Sequence, residues 1–453
     1  MPRDNTASKH IAVLAFPFAT HAAPLLSLIR RLSAAAPVAK FSFFSTAQSN
    51  SMISNENERC EAIKHYNVAD GTPENYVFSG NPGEPVENFI KATPGNFKTA
   101  MAEVLKDTGK GFSCIITDAF FWFAADMVAE LHVPWVAVWT AGPLPVLLHI
   151  ETDLIREKLG IEELGFNGLE GKTVDFFPGI SAIPAIHLQP ELTPKEIKED
   201  MQKMLYKMGL MLPLATALVI NAFEEMDTSV TKALKSRIEK VLNIGPLVLT
   251  LPDQVNSDSY NCLEWLTNQK QDSVVYISFG SVVTPPPHEL AALAEALEAY
   301  DCPFIWSFRG NPDEKLPKGF LERTKEKGKV VPWAPQLQIL QHSSTGAFIT
   351  HSGWNSFLES VVAGVPMICR AFFGDQILNR WAIENIWEVG VGIEGGKISK
   401  DGTMKALQLV LSSQQGKNMR QRLDALKKNA FEAVRPHGSS TANFTTLVEI
   451  VTQ

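Results

Sequence analysis

Residues 346–376 read "GAFITHSGWNSFLESVVAGVPMICRAFFGDQ". "GAFIT" has the composition of a buried strand, "FLESVVAG" the periodicity of a helix, and "VPMICRAF" that of a second strand. Apolar strands without polar alternation, alternating with helices, are the signature of βα units and a parallel sheet. Between the first strand and the helix, 351–356 crowd a histidine, two serines, an asparagine and an indole into one turn. Gly353 lets the backbone come close to a ligand, and Asn355 and Ser356 fall in the first helical turn. Exposed N–H groups and the positive end of the helix dipole make such a turn an anion site. His351, at the carboxyl end of the strand, has the chemistry to donate to a phosphate oxygen. Glu359, one turn deeper than Asn355 on the same helix face, can accept two sugar hydroxyls.

The same alternation runs outward in both directions. The first half offers strands at 10–16, 40–46, 63–69, 113–119, 135–141 and 217–223, separated by helical segments such as 24–35 and 121–131. The stretch 151–210, interrupted by Pro178, Pro184, Pro190 and Pro194, reads as loops and insertions. A mixture of Pro, Gly, Asn, Ser and Asp over 242–261 marks a linker. The pattern then restarts at 273–281, 302–308, 329–335, 346–350 and 365–372, and helices close the chain. The reading is α/β, with two doubly wound Rossmann-like domains: residues 1–243, a linker at 244–262, and 263–453, with the last helix packing back on the first domain. Such folds place ligands at the carboxyl ends of their strands, so a central cleft between the domains is the expected site.

Composition narrows the function. The chain has 453 residues, 20% of them charged, and a net charge of −8 without a Lys/Arg block. That disfavours nucleic acid and anionic membrane as partners. Cys60, Cys114, Cys262, Cys302 and Cys369 are scattered and odd in number, as in a reduced cytoplasmic protein. No stretch reaches the roughly 20 apolar residues of a membrane span, and a monomer is expected. Three familiar motifs fail. "GVGIEG" (390–395) fits G-x-G-x-x-G but is strand-like and opens no helix, "GKT" (171–173) lacks the first glycine of a phosphate loop, and no D-x-D is present to hold a metal.

Other residues extend the anion turn. Trp333, flanked by prolines in "VPWAPQ", is a rigid indole suited to stacking on a base. Asp375 and Gln376 offer an acceptor and a donor to a polyol. Base, ribose, diphosphate and hexose laid out in order describe a nucleotide sugar. In the first half, His21 and Asp118 each sit at the end of a strand. If those strands are neighbours, the carboxylate fixes one imidazole nitrogen and raises the basicity of the other. Phe16 and Phe120 around them suit a flat apolar acceptor, although either could equally be core.

These residues carry a resemblance. From Trp333 to Gln376, "WAPQLQILQHSSTGAFITHSGWNSFLESVVAGVPMICRAFFGDQ" resembles, without gaps, the signature box of plant UDP-sugar-dependent glycosyltransferases. "TDAFFWFAADM" (117–127), "WTAGP" (139–143) and "RAFFGDQ" (370–376) are similar to flavonoid and anthocyanidin 3-O-glycosyltransferases. The resemblance implies a GT-B fold and inverting transfer of glucose from UDP-glucose to the 3-hydroxyl of a flavonol or anthocyanidin, without a metal or other cofactor. UDP-galactose, another phenolic acceptor, or a binding protein without catalysis are the alternatives. It also implies roles: His21 the base and Asp118 its partner; Trp333 on uracil with Ala334 and Gln336 beside it; Glu359 on the ribose. His351, Asn355, Ser356 and Ser281 would hold the diphosphate, and Trp354, Asp375, Gln376 and Thr140 would surround the hexose. Phe16, Ala19, Phe120, His149 and Phe373 would line the acceptor pocket. Two departures stand out: Ser352 replaces the usual Cys, and Gly83 lies where some flavonol-binding relatives carry a polar residue.

Overall fold

Seven strands form one parallel sheet: β1 (Lys9–Leu14), β2 (Ala39–Thr46), β3 (Ile63–Val68), β4 (Cys114–Asp118), β5 (Trp135–Trp139), and then, beyond the two-stranded antiparallel ribbon of β6 (Thr173–Val174) and β7 (Ile183–Pro184), β8 (Ala217–Ile220) and β9 (Val241–Asn243). Their order is β3-β2-β1-β4-β5-β8-β9. A second parallel sheet runs β12 (Gly328–Val331), β11 (Phe304–Ser307), β10 (Val274–Ser278), β13 (Thr345–Thr350), β14 (Met367–Cys369) and β15 (Gly390–Gly392). This computed structural model describes residues 9–53, 60–74, 76, 83–250, 258–280 and 282–453. Strands β1, β4, β5 and β10 are buried almost throughout, which explains why they read as continuous apolar runs.

The chain divides into two compact units, Met1–Ile186 with Glu191–Leu247 and Ala433–Gln453, and His187–Pro190 with Val248–Glu432. In each sheet the strand order reverses once, between β1 and β4 in the first and between β10 and β13 in the second. Ligands of open α/β sheets bind beyond the carboxyl ends of the strands at such a reversal. His21 follows β1 and Asp118 ends β4, while Gly280 follows β10 and His351 follows β13. His21, Asp118 and His351, read as functional from the sequence, therefore lie at the two positions that the topology favours.

The expected strands are present, most of them ending one to four residues earlier than the apolar runs do. The stretch read as loops over 151–210 is more ordered than that: helices Thr152–Leu159, Ile161–Leu164 and Asp200–Met211 lie within it. The first two are too short to impress a periodic pattern on a proline-punctuated sequence. Arg156 explains how the irregular part is held. Its buried guanidinium donates to the carbonyls of Leu192, Pro194 and Lys195 at 3.1, 2.8 and 2.9 Å. The C-terminal helix Ser439–Thr452 is joined to the first unit, Ser440 Oγ donating to Gly245 O (2.6 Å) and Asn443 Nδ2 to Asn243 O (3.0 Å). "GVGIEG" supplies β15 and a short 3-10 turn, not a phosphate loop. Among the described residues no helix is long and apolar enough to cross a membrane.

Candidate active site

In the first unit, β1 and β4 are direct neighbours, with Leu14 opposite Thr117. The chain leaves β1 through Phe16 and Phe18 and enters helix Ala19–Ala35, which carries His21 on its first turn. His21 Nδ1 lies 2.8 Å from Asp118 Oδ2. The other carboxylate oxygen accepts the Phe120 N–H at 3.0 Å, so both oxygens of Asp118 are engaged and its side chain is 2% exposed. A carboxylate is only an acceptor, so Nδ1 carries the proton and Nε2 is the basic nitrogen. Thr140 Oγ1, just beyond β5, lies 3.3 Å from the same Nδ1. Phe16 and Phe120 flank the imidazole at 5.2 and 4.6 Å between ring centres.

In the second unit, the turn after β13 leads into helix Trp354–Ala363. Gly353 is its N-cap, no side chain caps it, and no acidic residue occupies its first turn. That arrangement leaves the positive end of the dipole for an external anion. The His351 ring is enclosed by glycines. A Cβ on Gly280 would fall 2.8 Å from its Nε2, and one on Gly353 only 2.3 Å away. Burial lowers the His351 pKa to about 4, so the ring is neutral at pH 7. Its Nδ1 is buried without a hydrogen-bond partner among the described residues. A neutral imidazole can donate to a phosphate oxygen only from the nitrogen that carries its proton.

The neighbouring groups are ordered by one amide. Gln336 Nε2 donates to Glu359 Oε2 (2.5 Å) and Ser356 Oγ (3.2 Å), while its Oε1 accepts from the Tyr276 hydroxyl at 3.3 Å. Burial raises the Glu359 pKa, an effect the Gln336 bond opposes. Trp333 is 55% exposed, as a stacking platform needs, and Ala334 beside it is buried. Downstream, Gln376 Oε1 accepts the backbone N–H of Phe372 (3.0 Å) and Phe373 (3.5 Å). With its oxygen tied down, the NH₂ group of Gln376 is the part of the side chain left to donate.

A family model described as UDP-glucoronosyl and UDP-glucosyl transferase matches residues 251–436. A flavonoid 3-O-glucosyltransferase of Medicago truncatula is 54% identical, over 98% of this chain and 97% of its own. The chain belongs to the UDP-glycosyltransferase family. An anthocyanidin 3-O-galactosyltransferase of Actinidia chinensis is 48% identical over 98% of this chain and 97% of its own. A crystal structure of UDP-glucose: anthocyanidin 3-O-glucosyltransferase in complex with UDP superposes with a TM-score of 0.91 at 37% identity, covering 99% of both chains. The two parallel-sheet units are those of the GT-B fold.

In this UDP-glycosyltransferase the other residues named from the sequence are placed as follows. The Trp354 indole is 4% exposed and packs on Phe357 (5.1 Å) and Trp387 (6.3 Å). Phe16 and His149 are equally enclosed, at 3% and 2% exposure, and burial holds His149 near pKa 4. Phe16 packs edge-on to Phe89 and Phe121, forming the wall behind Phe120. Thr140 belongs to the first unit, beside His21. Phe373, on the loop before Asp375, is 44% exposed, and Asn355 is exposed. Ser281 and the side chain of Ala19 lie outside the described residues. Tyr276 and Gly280 are additions. Their signals, a tyrosine in an apolar strand and a glycine after it, are indistinguishable from ordinary packing and turn chemistry in sequence.

Proposed function

We propose that this enzyme transfers glucose from UDP-glucose to the 3-hydroxyl of a flavonol or anthocyanidin, with inversion and without a metal. The observation that carries the reading is the 2.8 Å bond from Asp118 to His21 Nδ1, which directs the lone pair of Nε2 away from the carboxylate. Nε2 takes the proton of the acceptor hydroxyl as that oxygen attacks C1 of the α-linked sugar. The bond from C1 to the diphosphate oxygen breaks, its electron pair leaves with UDP, and a β-glycoside results. Asp118 stabilises the imidazolium formed at His21.

The charge that grows on UDP needs an acceptor of its own. In the second unit the helix beginning at Trp354, the neutral His351 and Ser356 supply it, and such preorganised dipoles act strongest where charge develops in the transition state. Trp333 stacks uracil, with Ala334 beside it. Gln336 holds Glu359 for the ribose hydroxyls. Asp375 and the NH₂ group of Gln376 bind the hexose. The relatives' names supply the flavonoid and the 3-position. Phe120, half-buried beside His21 in the first unit, offers aromatic surface of the kind a planar polyphenol needs, and the second unit exposes Phe373.

UDP-galactose is the second reading for the donor, favoured by the galactosyltransferase among the relatives. Turnover of purified enzyme with both UDP-sugars against a panel of flavonols, anthocyanidins and simple phenols tests the proposal. Product limited to UDP-glucose and 3-hydroxylated flavonoids supports it. Preference for UDP-galactose moves the donor assignment, and turnover of phenols alone removes the flavonoid.

A further inference from the structure

Asn379 has no part in the reading so far, yet it joins the two turns that would hold the donor. It lies one turn inside helix Gln376–Asn385 and is 2% exposed. Its Nδ2 donates to Asp375 Oδ2 at 2.8 Å and to the backbone carbonyl of Ser352 at 3.1 Å. Both partners are acceptors only, so the amide has one orientation that satisfies them, with the NH₂ group facing both. Fixing Oδ2 sets the plane of the Asp375 carboxylate and the direction of its second oxygen.

Ser352 makes the link specific. It is fully buried and has φ of +64°, the left-handed region that a residue with a Cβ rarely adopts. Holding it there costs about 1–2 kcal/mol relative to a right-handed conformation. Its carbonyl is the Asn379 acceptor, and its neighbours in the chain are His351 and Gly353. The hydrogen-bond chain therefore runs from the diphosphate turn after β13, through one amide, to the carboxylate beyond β14. Gln376 is anchored separately by the backbone of Phe372 and Phe373, so it does not depend on Asn379.

We infer that Asn379 is a positioning residue for the hexose of the donor: it aims the Asp375 carboxylate and registers it against the diphosphate turn. The inference rests on the proposed role of Asp375 in binding the sugar. A buried amide serving only to stabilise the fold would affect UDP and UDP-glucose alike. A positioning residue affects only the ligand that carries a hexose.

The test uses the full chain with Asn379→Asp, which keeps the shape but turns a donor into an acceptor, and Asn379→Ala. Asp375→Ala and the Asn379→Ala/Asp375→Ala double variant run in parallel. The KM for UDP-glucose and the inhibition constant of UDP are measured against one acceptor. Loss of a hydrogen bond to a charged group predicts a KM raised about 10-fold or more, with the UDP constant within about 2-fold of wild type. The double variant is expected to be no worse than Asp375→Ala alone, because the amide acts through that carboxylate. An unchanged KM, a parallel rise in both constants, or additive losses overturns the inference. Should Asp375→Ala itself leave the KM unchanged, the reading of Asp375 as a sugar ligand falls instead. If Asn379→Asp fails to fold, the Asn379→Ala arm of the cycle decides.

Discussion

At the scale of single residues the account turns on which nitrogen of a histidine carries a proton. Asp118 fixes His21 Nδ1 as the donor, so Asp118→Asn, whose amide can hold the ring in the opposite tautomer, disarms the base while keeping the shape. Both His21→Ala and Asp118→Asn are expected to lower kcat by about 10²–10⁴-fold, the usual worth of general-base assistance. UDP affinity, measured by calorimetry, stays at the wild-type value in both. The glycines around His351 yield a second prediction. A methyl at Gly353 would lie 2.3 Å from Nε2, too close for the ring to stay. Gly353→Ala therefore displaces His351 and weakens UDP binding by about 10-fold or more, the loss of one good hydrogen bond to a charged group. A variant binding UDP as tightly as wild type would remove His351 from the diphosphate site.

At the scale of elements, the loop carrying Asp375 and Gln376 is held from below. Arg370, just after β14, makes a two-pronged ion pair with Glu289 of helix Pro287–Tyr300, at 2.8 and 2.7 Å. Glu289 is 1% exposed and also accepts the Ile398 N–H at 2.8 Å. Burial pushes its pKa up, but the Arg370 and Ile398 bonds prevail and hold the carboxyl below its ordinary value. Removing one partner strands the other charge, so Glu289→Ala is expected to destabilise the fold by about 3–5 kcal/mol, read by urea unfolding. This ion pair was not legible in the sequence: Glu289 and Arg370 are far apart in the chain, and neither belongs to a local motif. What was legible is local. The anion turn at 351–356, the His21 and Asp118 strand ends and the βα alternation are all written within short spans. Trp354 shows the limit of such reading, since adjacency to a ligand turn does not say which way an indole points. Asn379 shows the same limit from the other side, because its role appears only when the turns after β13 and β14 meet.

For the whole molecule, each unit carries a neutral histidine, the buried His149 in the first and the half-buried His351 in the second, and desolvation lowers the pKa of both to about 4. At pH 7 these imidazoles are neutral in the folded state and mostly neutral in the unfolded one, whose ordinary pKa is 6.5. Below the ordinary value of 6.5 the unfolded chain takes up protons that the folded one refuses until about pH 4. Stability therefore falls across that window, by about 3 kcal/mol for each site. Urea midpoints measured from pH 7 to pH 4.5 are expected to decline, and His149→Gln is expected to flatten part of the decline. An equal slope in the variant would show that His149 is not responsible. The proposed function of the molecule is transfer with inversion, driven by the base in the first unit. Its most direct test is an NMR analysis of the product formed from UDP-glucose and a flavonol by the wild type and by His21→Ala. The account predicts a 3-O-β-glucoside from the wild type and almost none from the variant. An α-glycoside, or undiminished product from His21→Ala, would contradict it.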